Sequence, residues 1–349
     1  MADKVMSIFD VVTSNELSAM WELHEKDRVP YLGETLFPNK KKLGLDLKWI
    51  KGSKGLPVVL SPSAFDVPAS LGDRISFDTL LAEMPFFKKA KMIPETLRQQ
   101  LNMALESKNQ AYIDSLTEMV FNDQMALMEG AAAQRERMRM MALTTGAIAI
   151  SANGQDYAFD YKIPSNHKAT AGTSWATPTT DILGDIMKWK ETIEDDTGVA
   201  PTRAVCSRKT FGYIQANENI RKAIYVMSNG TGLITEQVVK DFIFQAVGVD
   251  IVVYTKKYID EAGATKAYVA DDTFVLFPEG ALGSTWFGTT PEESDLMSSS
   301  VANVSIVDTG VAITTSKKVD PVNVETKTSM ICLPSFEAAD QVFIADVTP

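Results

Sequence analysis

The sequence predicts an α+β protein built in several parts, and three observations carry that prediction. Residues 94–145 read as one long, methionine-rich helical stretch. From Thr179 to Ser298 the pattern alternates between helix and strand, and after Ser298 it returns to strands. Roughly the first 90 residues, by contrast, show little amphipathic periodicity after residue 23, several prolines and a lysine-rich run. Such a segment buries too little apolar surface to offset its ordering entropy, so it is expected to lie across something else, in the first place another copy of the chain.

Ser14-Asn15-Glu16-Leu17 predicts a capped helix running to about His24, with Leu17, Met20, Trp21 and Leu23 as its apolar stripe. Pro30 and Pro38 then favour extended chain. Leu43, Leu45, Leu47 and Trp49 alternate with Gly44, Asp46 and Lys48, a strand pattern. The stretch 51–92 is rich in proline and glycine, with short strand-like pieces at 56–60 and 74–77. A loop of that length is functional or intermolecular more often than not.

Pro94 and Glu95 suit the first turn of a helix. Ile113, Leu116, Val120, Leu127 and Ala131 recur at three- or four-residue steps, and no proline interrupts them. A helix of about 35 residues would span roughly 50 Å. Its methionines (Met119, Met125, Met128, Met138, Met140, Met141) read as packing material. Asn153-Gly154 between alternating residues marks a hairpin over 147–161, expected to begin a sheet that the last strands complete.

In the alternating block, Ile182, Ile186, Trp189 and Ile193 line one face of a helix ending near Gly198. Ser207 caps a second helix, carrying Phe211 and Ile214. Thr235 caps a third, with Val238, Val239, Phe242, Ile243 and Ala246 buried and Gly248 ending it. Residues 203–206, 249–254 and 273–277 read as strands, followed by 301–307, 311–315, 329–333 and 341–347.

The formal charge of −11 argues against a dedicated nucleic-acid binder, whose surface is normally basic. Two cysteines, Cys206 and Cys332, cannot build a disulfide framework, which makes a reducing cytoplasm the default. No leader pattern or membrane-length apolar run is read, so a soluble, intracellularly made protein is expected. His24 and His167 lack metal-ligand spacing. The carboxylate groups Glu194-Asp195-Asp196, Asp271-Asp272 and Glu292-Glu293 read as turns and helix ends rather than acid/base pairs. No catalytic residue, cofactor site or metal site is assigned. Lys40, Lys41 and Lys42 read either as a solvated loop or as charge matching to an acidic neighbouring subunit. Arg135, Arg137 and Arg139 are read as a subunit contact, or as facing packaged nucleic acid.

The order of parts is similar to the capsid fold of tailed phages named for phage Hong Kong 97. Leu56-Pro57-Val58-Val59-Leu60-Ser61-Pro62, residues 250–254 and 266–276, and the ending from Thr328-Ser329-Met330-Ile331 through Ala339-Asp340 resemble the major capsid proteins of phage lambda and its relatives. The resemblance is diffuse, spans nearly the whole chain and rests on no catalytic motif. It implies an amino-terminal arm over 1–38, then a first strand and extended E-loop over 39–92. A peripheral domain with a spine helix would cover 93–178 and 300–349, and an axial domain 179–299. It implies a structural head protein that self-assembles into hexamers and pentamers of an icosahedral shell around double-stranded DNA, in the virion, after assembly in the host bacterial cytoplasm.

A separate scaffolding protein is expected, since no long helical extension of the fused-scaffold kind is read. A portal protein and a decoration protein are further expected partners. No lysine–asparagine crosslinking site is recognisable. Candidate interface residues are Lys40, Lys41, Lys42, Trp49, Leu56, Val58, Leu60, Phe65, Arg135 and Arg139. Two alternatives stay open: an encapsulin-like cellular nanocompartment, and an α/β enzyme or binding protein.

Overall fold

Among the described residues the first helix is α1 (Ser14–Asp27), capped by Thr13. Its hydroxyl accepts from the Glu16 amide while the Glu16 carboxylate accepts from the Thr13 amide, a reciprocal box that satisfies two otherwise orphaned donors. A short helix, α2 (Leu32–Leu36), fits between Pro30 and Pro38, where continuous extended chain was expected. Strands β1 (Asn39–Lys41), β2 (Asp46–Lys51), β3 (Asp78–Glu83) and β4 (Phe86–Met92) follow. The computed structural model describes residues 13–51, 78–107, 110–152, 154–227, 234–297, 302–319 and 322–348. The strand-like pieces expected at 56–60 and 74–77 lie outside these. The alternation beginning at Leu43 becomes strand only from Asp46: Leu47 and Trp49 are buried, whereas Leu43 and Leu45 are exposed in a bend.

The helical stretch comprises α3 (Glu95–Ser107) and α4 (Gln110–Thr145), the latter 36 residues and so about 54 Å long. Leu116, Val120, Leu127 and Ala131 are buried on α4, as are Met125, Met128, Met138 and Met140, while Met119 is exposed. Next come β5 (Ala147–Ala152), β6 (Gln155–Asp160), β7 (Lys168–Thr170), α5 (Ile182–Thr197), β8 (Arg203–Cys206), α6 (Arg208–Ala216), α7 (Glu218–Met227) and α8 (Glu236–Val247). The chain ends with β9 (Asp250–Val253), β10 (Lys257–Ile259), β11 (Thr265–Ala267), β12 (Thr273–Phe277), β13 (Ser284–Phe287), β14 (Ala302–Val307), β15 (Val311–Val319), β16 (Val322–Ser335) and β17 (Phe343–Asp346).

These elements form two units. The first contains Met1–Leu47, Ala82–Met138 and Ser284–Ser335; the second contains Lys48–Leu81, Arg139–Gly283 and Phe336–Pro349. The first unit is organised by β16. Along one edge this strand pairs antiparallel with β15, from Val311↔Met330 to Val319↔Val322. Along the other it pairs first with β4 (Glu325↔Met92 to Ile331↔Phe86), then with β13 (Cys332↔Phe287 to Ser335↔Ser284). β14 closes one side through a hairpin with β15, and β1 adds parallel to β13. Fourteen residues of strand thus pair with the adjacent strand β15 and with two strands from earlier in the chain, β4 and β13.

The second unit holds a mixed sheet in the order β7-β17-β12-β8-β9. Its core contains Ile186, Ile193, Phe211, Ile214, Val239 and Ile243. The Trp189 ring stacks between Trp175 at 5.6 Å and Phe343 at 5.5 Å. Asp181, Ser207 and Thr235 cap α5, α6 and α8 through side-chain acceptors. Gly248, at φ 71°, ends α8 in the left-handed conformation that glycine adopts at no steric cost.

Three expectations are corrected here. The 147–161 hairpin forms its own two-stranded sheet and does not continue into the C-terminal strands. β17 belongs to the second unit's sheet, whereas β13 belongs to the first unit's. Alternation identifies a strand but not its partner, so neither membership could be read from the pattern. On α8, Val238 and Ala246 are exposed; Val239, Ile243 and Val247 form the inward stripe.

Candidate assembly surfaces

The lysine run on β1 is largely committed within its own unit. Lys41 forms an ion pair with Glu293, the Lys40 ammonium lies 5.5 Å from the centre of the Trp286 ring, and Lys42 Nζ donates to the Asp46 carbonyl at 3.2 Å. Trp49 is buried, 5.5 Å from Phe159 and 6.0 Å from Tyr161 between ring centres, so this candidate interface residue is a core residue of the second unit. Leu56, Val58, Leu60 and Phe65 lie outside the described residues.

Arg135 and Arg139 also require correction. Both were expected on an outward face, and both are buried. Arg135 Nη2 donates to Asp308 at 2.5 Å, and both side chains are under 5 % exposed. The period that places Leu116 and Val120 inward drifts around a helix this long, and past residue 130 nearly every position of α4 is covered.

Asp308 also accepts from the Trp21 indole at 2.8 Å, so the turn between β14 and β15 holds the spine helix with one carboxylate oxygen and α1 with the other. Ser305 Oγ donates to Asn15 Oδ1 at 2.6 Å and lies within hydrogen-bond distance of the Ser14 hydroxyl, 3.0 Å away. Gly33 N, in α2, donates to Glu136 on the spine at 3.1 Å. From Thr13 onward the amino-terminal segment therefore folds on its own unit, with Leu17, Trp21, Leu36 and Phe37 buried. The segment was expected to have no core because its four anchors are separated by charged residues and breaks. The partner of the Trp21 indole, Asp308, lies 287 residues further along the chain.

Exposed apolar side chains occur on both units. Leu23, Val29 and Leu43 stand out on the first, and Val226 and Met227 at the end of α7, Phe244 on α8 and Ile259 on the β10–β11 hairpin on the second. Isolated exposed apolar residues are ordinary, and these seven are each more than half exposed.

The groups that could carry chemistry are engaged structurally. Burial pushes the Cys206 thiol up to about 12, and Cys332 is also buried. His167 is buried with Nε2 2.9 Å from Asp196; hydrogen bonds from Asn166, then His167, hold that carboxyl below its ordinary range. Burial opposes ionisation of Asp272, but hydrogen bonds from Lys209 (2.8 Å) and Tyr213 (3.0 Å) outweigh it. Burial likewise opposes ionisation of Glu292, where Lys327 and Ser329 prevail. Among the described residues no group of three His, Cys, Asp or Glu side chains is placed to hold a metal ion, and no helix is long and apolar enough to cross a membrane.

The family model for phage major capsid protein E matches residues 13–347. The chain belongs to that family. No curated protein matches it by sequence. Among solved structures, a prophage protein of Escherichia coli CFT073 described as a capsid protein superposes with a TM-score of 0.60. The two share 14% identity over 97% of this chain and 99% of that one. A phage-related protein of Bordetella bronchiseptica RB50 gives 0.55 and 13% identity over 94% and 96%. At these identities the likeness shows the fold, which is the phage capsid fold of the Hong Kong 97 type.

As a member of the phage major capsid family the chain is a structural shell protein of the virion that assembles with copies of itself. This favours a phage head over a cellular nanocompartment, and over an α/β enzyme. Its functional site is accordingly its contact surface. Of the exposed apolar residues just described, the sequence reading placed Leu23 in a helix stripe and Leu43 in a strand alternation, and singled out none of Val29, Val226, Met227, Phe244 or Ile259.

Proposed function

We propose that this major capsid protein forms hexamers and pentamers that close into an icosahedral shell around double-stranded DNA, with assembly in the host bacterial cytoplasm. The observation that carries the reading is the exposure of large apolar residues on both units of a chain from a shell-forming family. The second unit acts as the axial domain, with Val226 and Met227 at the end of α7 turned toward symmetry mates. The sheet of β16 with α3 and α4 acts as the peripheral domain; the extended loop expected from the family resemblance falls between β2 and β3, outside the described residues. A separate scaffolding protein, a portal protein and a decoration protein complete the partner set. DNA is met through non-specific proximity, consistent with the net charge of −11.

Cohesion is non-covalent in this reading. Asn323, the asparagine of the last strands nearest the lysines of β4, is buried with its amide nitrogen donating to the Ile93 carbonyl, which leaves it a structural role. Electron microscopy of the purified protein, alone and co-expressed with a scaffold, tests the assembly. Closed shells with hexameric and pentameric capsomers are expected, and a stable monomer at high concentration under both conditions refutes it. Denaturing electrophoresis of mature particles should give one band near 38.3 kDa, whereas a ladder surviving boiling and reductant refutes the non-covalent shell.

A further inference from the structure

The β10–β11 hairpin of the second unit holds a rigid shape while leaving one face in solvent. It forms a two-stranded sheet apart from the five-stranded one, with Ile259 opposite Thr265 and Lys257 opposite Ala267. A hairpin of three-residue strands is marginal by itself, and this one is fastened at both ends. At its base the Tyr258 and Tyr268 rings lie 4.9 Å apart and Tyr254 stands 6.1 Å from Tyr268, with Tyr254 and Tyr268 buried. At its tip Asp260 closes the turn. Its Oδ1 accepts from the Ala262 and Ala264 amides at 3.0 and 2.8 Å, and its Oδ2 lies 3.0 Å from Lys266 Nζ. Its own amide donates to the Ala264 carbonyl at 2.9 Å. Strand alternation sorts the side chains: Tyr258 and Lys266 share one face, and Lys257, Ile259, Thr265 and Ala267 share the other. All four of the latter are exposed, Ile259 by 72 %. The fastening therefore does not serve to bury Ile259. A second apolar surface of the same unit lies at the end of α7, where Ile220 and Ile224 form the inward stripe and Tyr225, Val226 and Met227 lie outside it. Val226 is 79 % exposed. Since both surfaces are open in one chain, neither covers the other within that chain.

We propose that the outer face of the β10–β11 hairpin of one copy seats on the α7 end of the next copy, with Ile259 against Val226 and Met227. The inference rests on the shell reading above and names the two surfaces that meet around a capsomer. The family builds its shells from copies of one chain, so a single chain must carry both halves of each repeated contact. Two different patches of one chain make a heterologous contact, which closes into a ring when the rotation between copies allows it. The hairpin supplies the preorganised half, because a turn already fixed by Asp260 loses little freedom on docking. The α7 end supplies the adaptable half, since the unbranched Met227 side chain can fit the shape of a β-branched one.

Cys206 and Cys332 are both buried, so in Ile259→Cys the introduced thiol is the one that takes a benzophenone maleimide. After irradiation of assembled particles, mass spectrometry should find that label joined to the peptide carrying Val226 and Met227 of another copy, and the link should vanish on dilution below the assembly threshold. Links confined to the label's own chain, or reaching a different surface of the neighbour, overturn the proposal. Ile259→Asp changes an exposed position, so it should keep the circular dichroism of the wild type while raising the concentration for half-maximal assembly at least tenfold. Wild-type protein that forms no capsomers refutes the shell reading itself, and the hairpin contact with it. Wild-type shells together with Ile259→Asp shells that form at the same concentration refute the hairpin contact alone.

Discussion

The two units bury different kinds of side chain. The interior of the α/β unit is largely apolar, built on Trp175, Trp189, Phe274 and Phe343 with aliphatic residues from capped helices, although Arg139, His167 and Asn217 are buried in this unit too. The β16 unit buries Arg135, Asp308, Glu136 and Glu292 beside its apolar core, and its sheet carries the buried hydroxyls of Thr314, Thr326 and Thr328. Apolar contacts tolerate small shifts, whereas a buried ion pair requires its partner in place. The first unit is therefore specified by contacts between distant segments, Arg135 with Asp308 and Trp21 with Asp308, and the second by stripes that each helix carries within itself.

The largest expected effect breaks that comparison at its centre. Arg135→Ala leaves the Asp308 carboxylate buried with the Trp21 indole still donating to it. It should cost about 3–5 kcal/mol, located in the first unit by hydrogen exchange during denaturant unfolding. The double change Arg135→Met with Asp308→Asn should recover much of that loss, because the amide carries no charge, tolerates the left-handed backbone at this position and still accepts from the Trp21 indole. If the single change costs under about 1 kcal/mol, the charged pair is not what organises this unit. In the other unit, Trp189→Ala should cost about 3–5 kcal/mol through cavity formation, with no dependence on pH between 5 and 8.

Gly310→Ala comes next. A Cβ there would lie 2.6 Å from Phe287 Cβ, in the layer where Arg135 faces that ring, and the backbone must move to admit it. A loss of about 1–3 kcal/mol is expected from thermal unfolding. Thr235→Ala removes the acceptor for the Val238 amide and should cost about 1 kcal/mol, confined to α8 and its contacts. An effect spreading to β14 or β15 would contradict the separation of the two units.

What could be read from sequence follows the same division. The caps at Asp181, Ser207 and Thr235, the inward faces of α5 and α8 and the Asn-Gly hairpin are local signals, and local signals carry their own geometry. Residues 86–92 carry three lysines in seven positions and read as loop base, yet they form β4. Their ladder partner is β16, more than 230 residues later, which supplies what their composition lacks. The docking of α1 was hidden for the same reason: nothing near Trp21 announces that an aspartate at position 308 will receive its indole. Arg135 was misplaced because charge at a helical position predicts exposure unless the paired carboxylate is known.

The smallest effect tests the turn on which the first unit's charges converge. Asp308 and Thr309 both take left-handed backbone, at φ 47° and 74°, and the Gly310 amide closes the turn on the Val307 carbonyl at 3.1 Å. Aspartate tolerates this region, but a β-branched threonine pays roughly 1–2 kcal/mol for it. Thr309→Gly removes the clash and loses about 0.5–1 kcal/mol to the greater freedom of the unfolded chain. The net result should be a gain of a few tenths to about 1 kcal/mol, read as a higher urea midpoint at unchanged slope. Thr309→Asn should do at least as well, since asparagine accepts the left-handed region without the entropy of glycine. A lower midpoint for both variants would mean that the threonine side chain itself supports the turn, and that Asp308 is held in place by its neighbour as much as by Trp21 and Arg135.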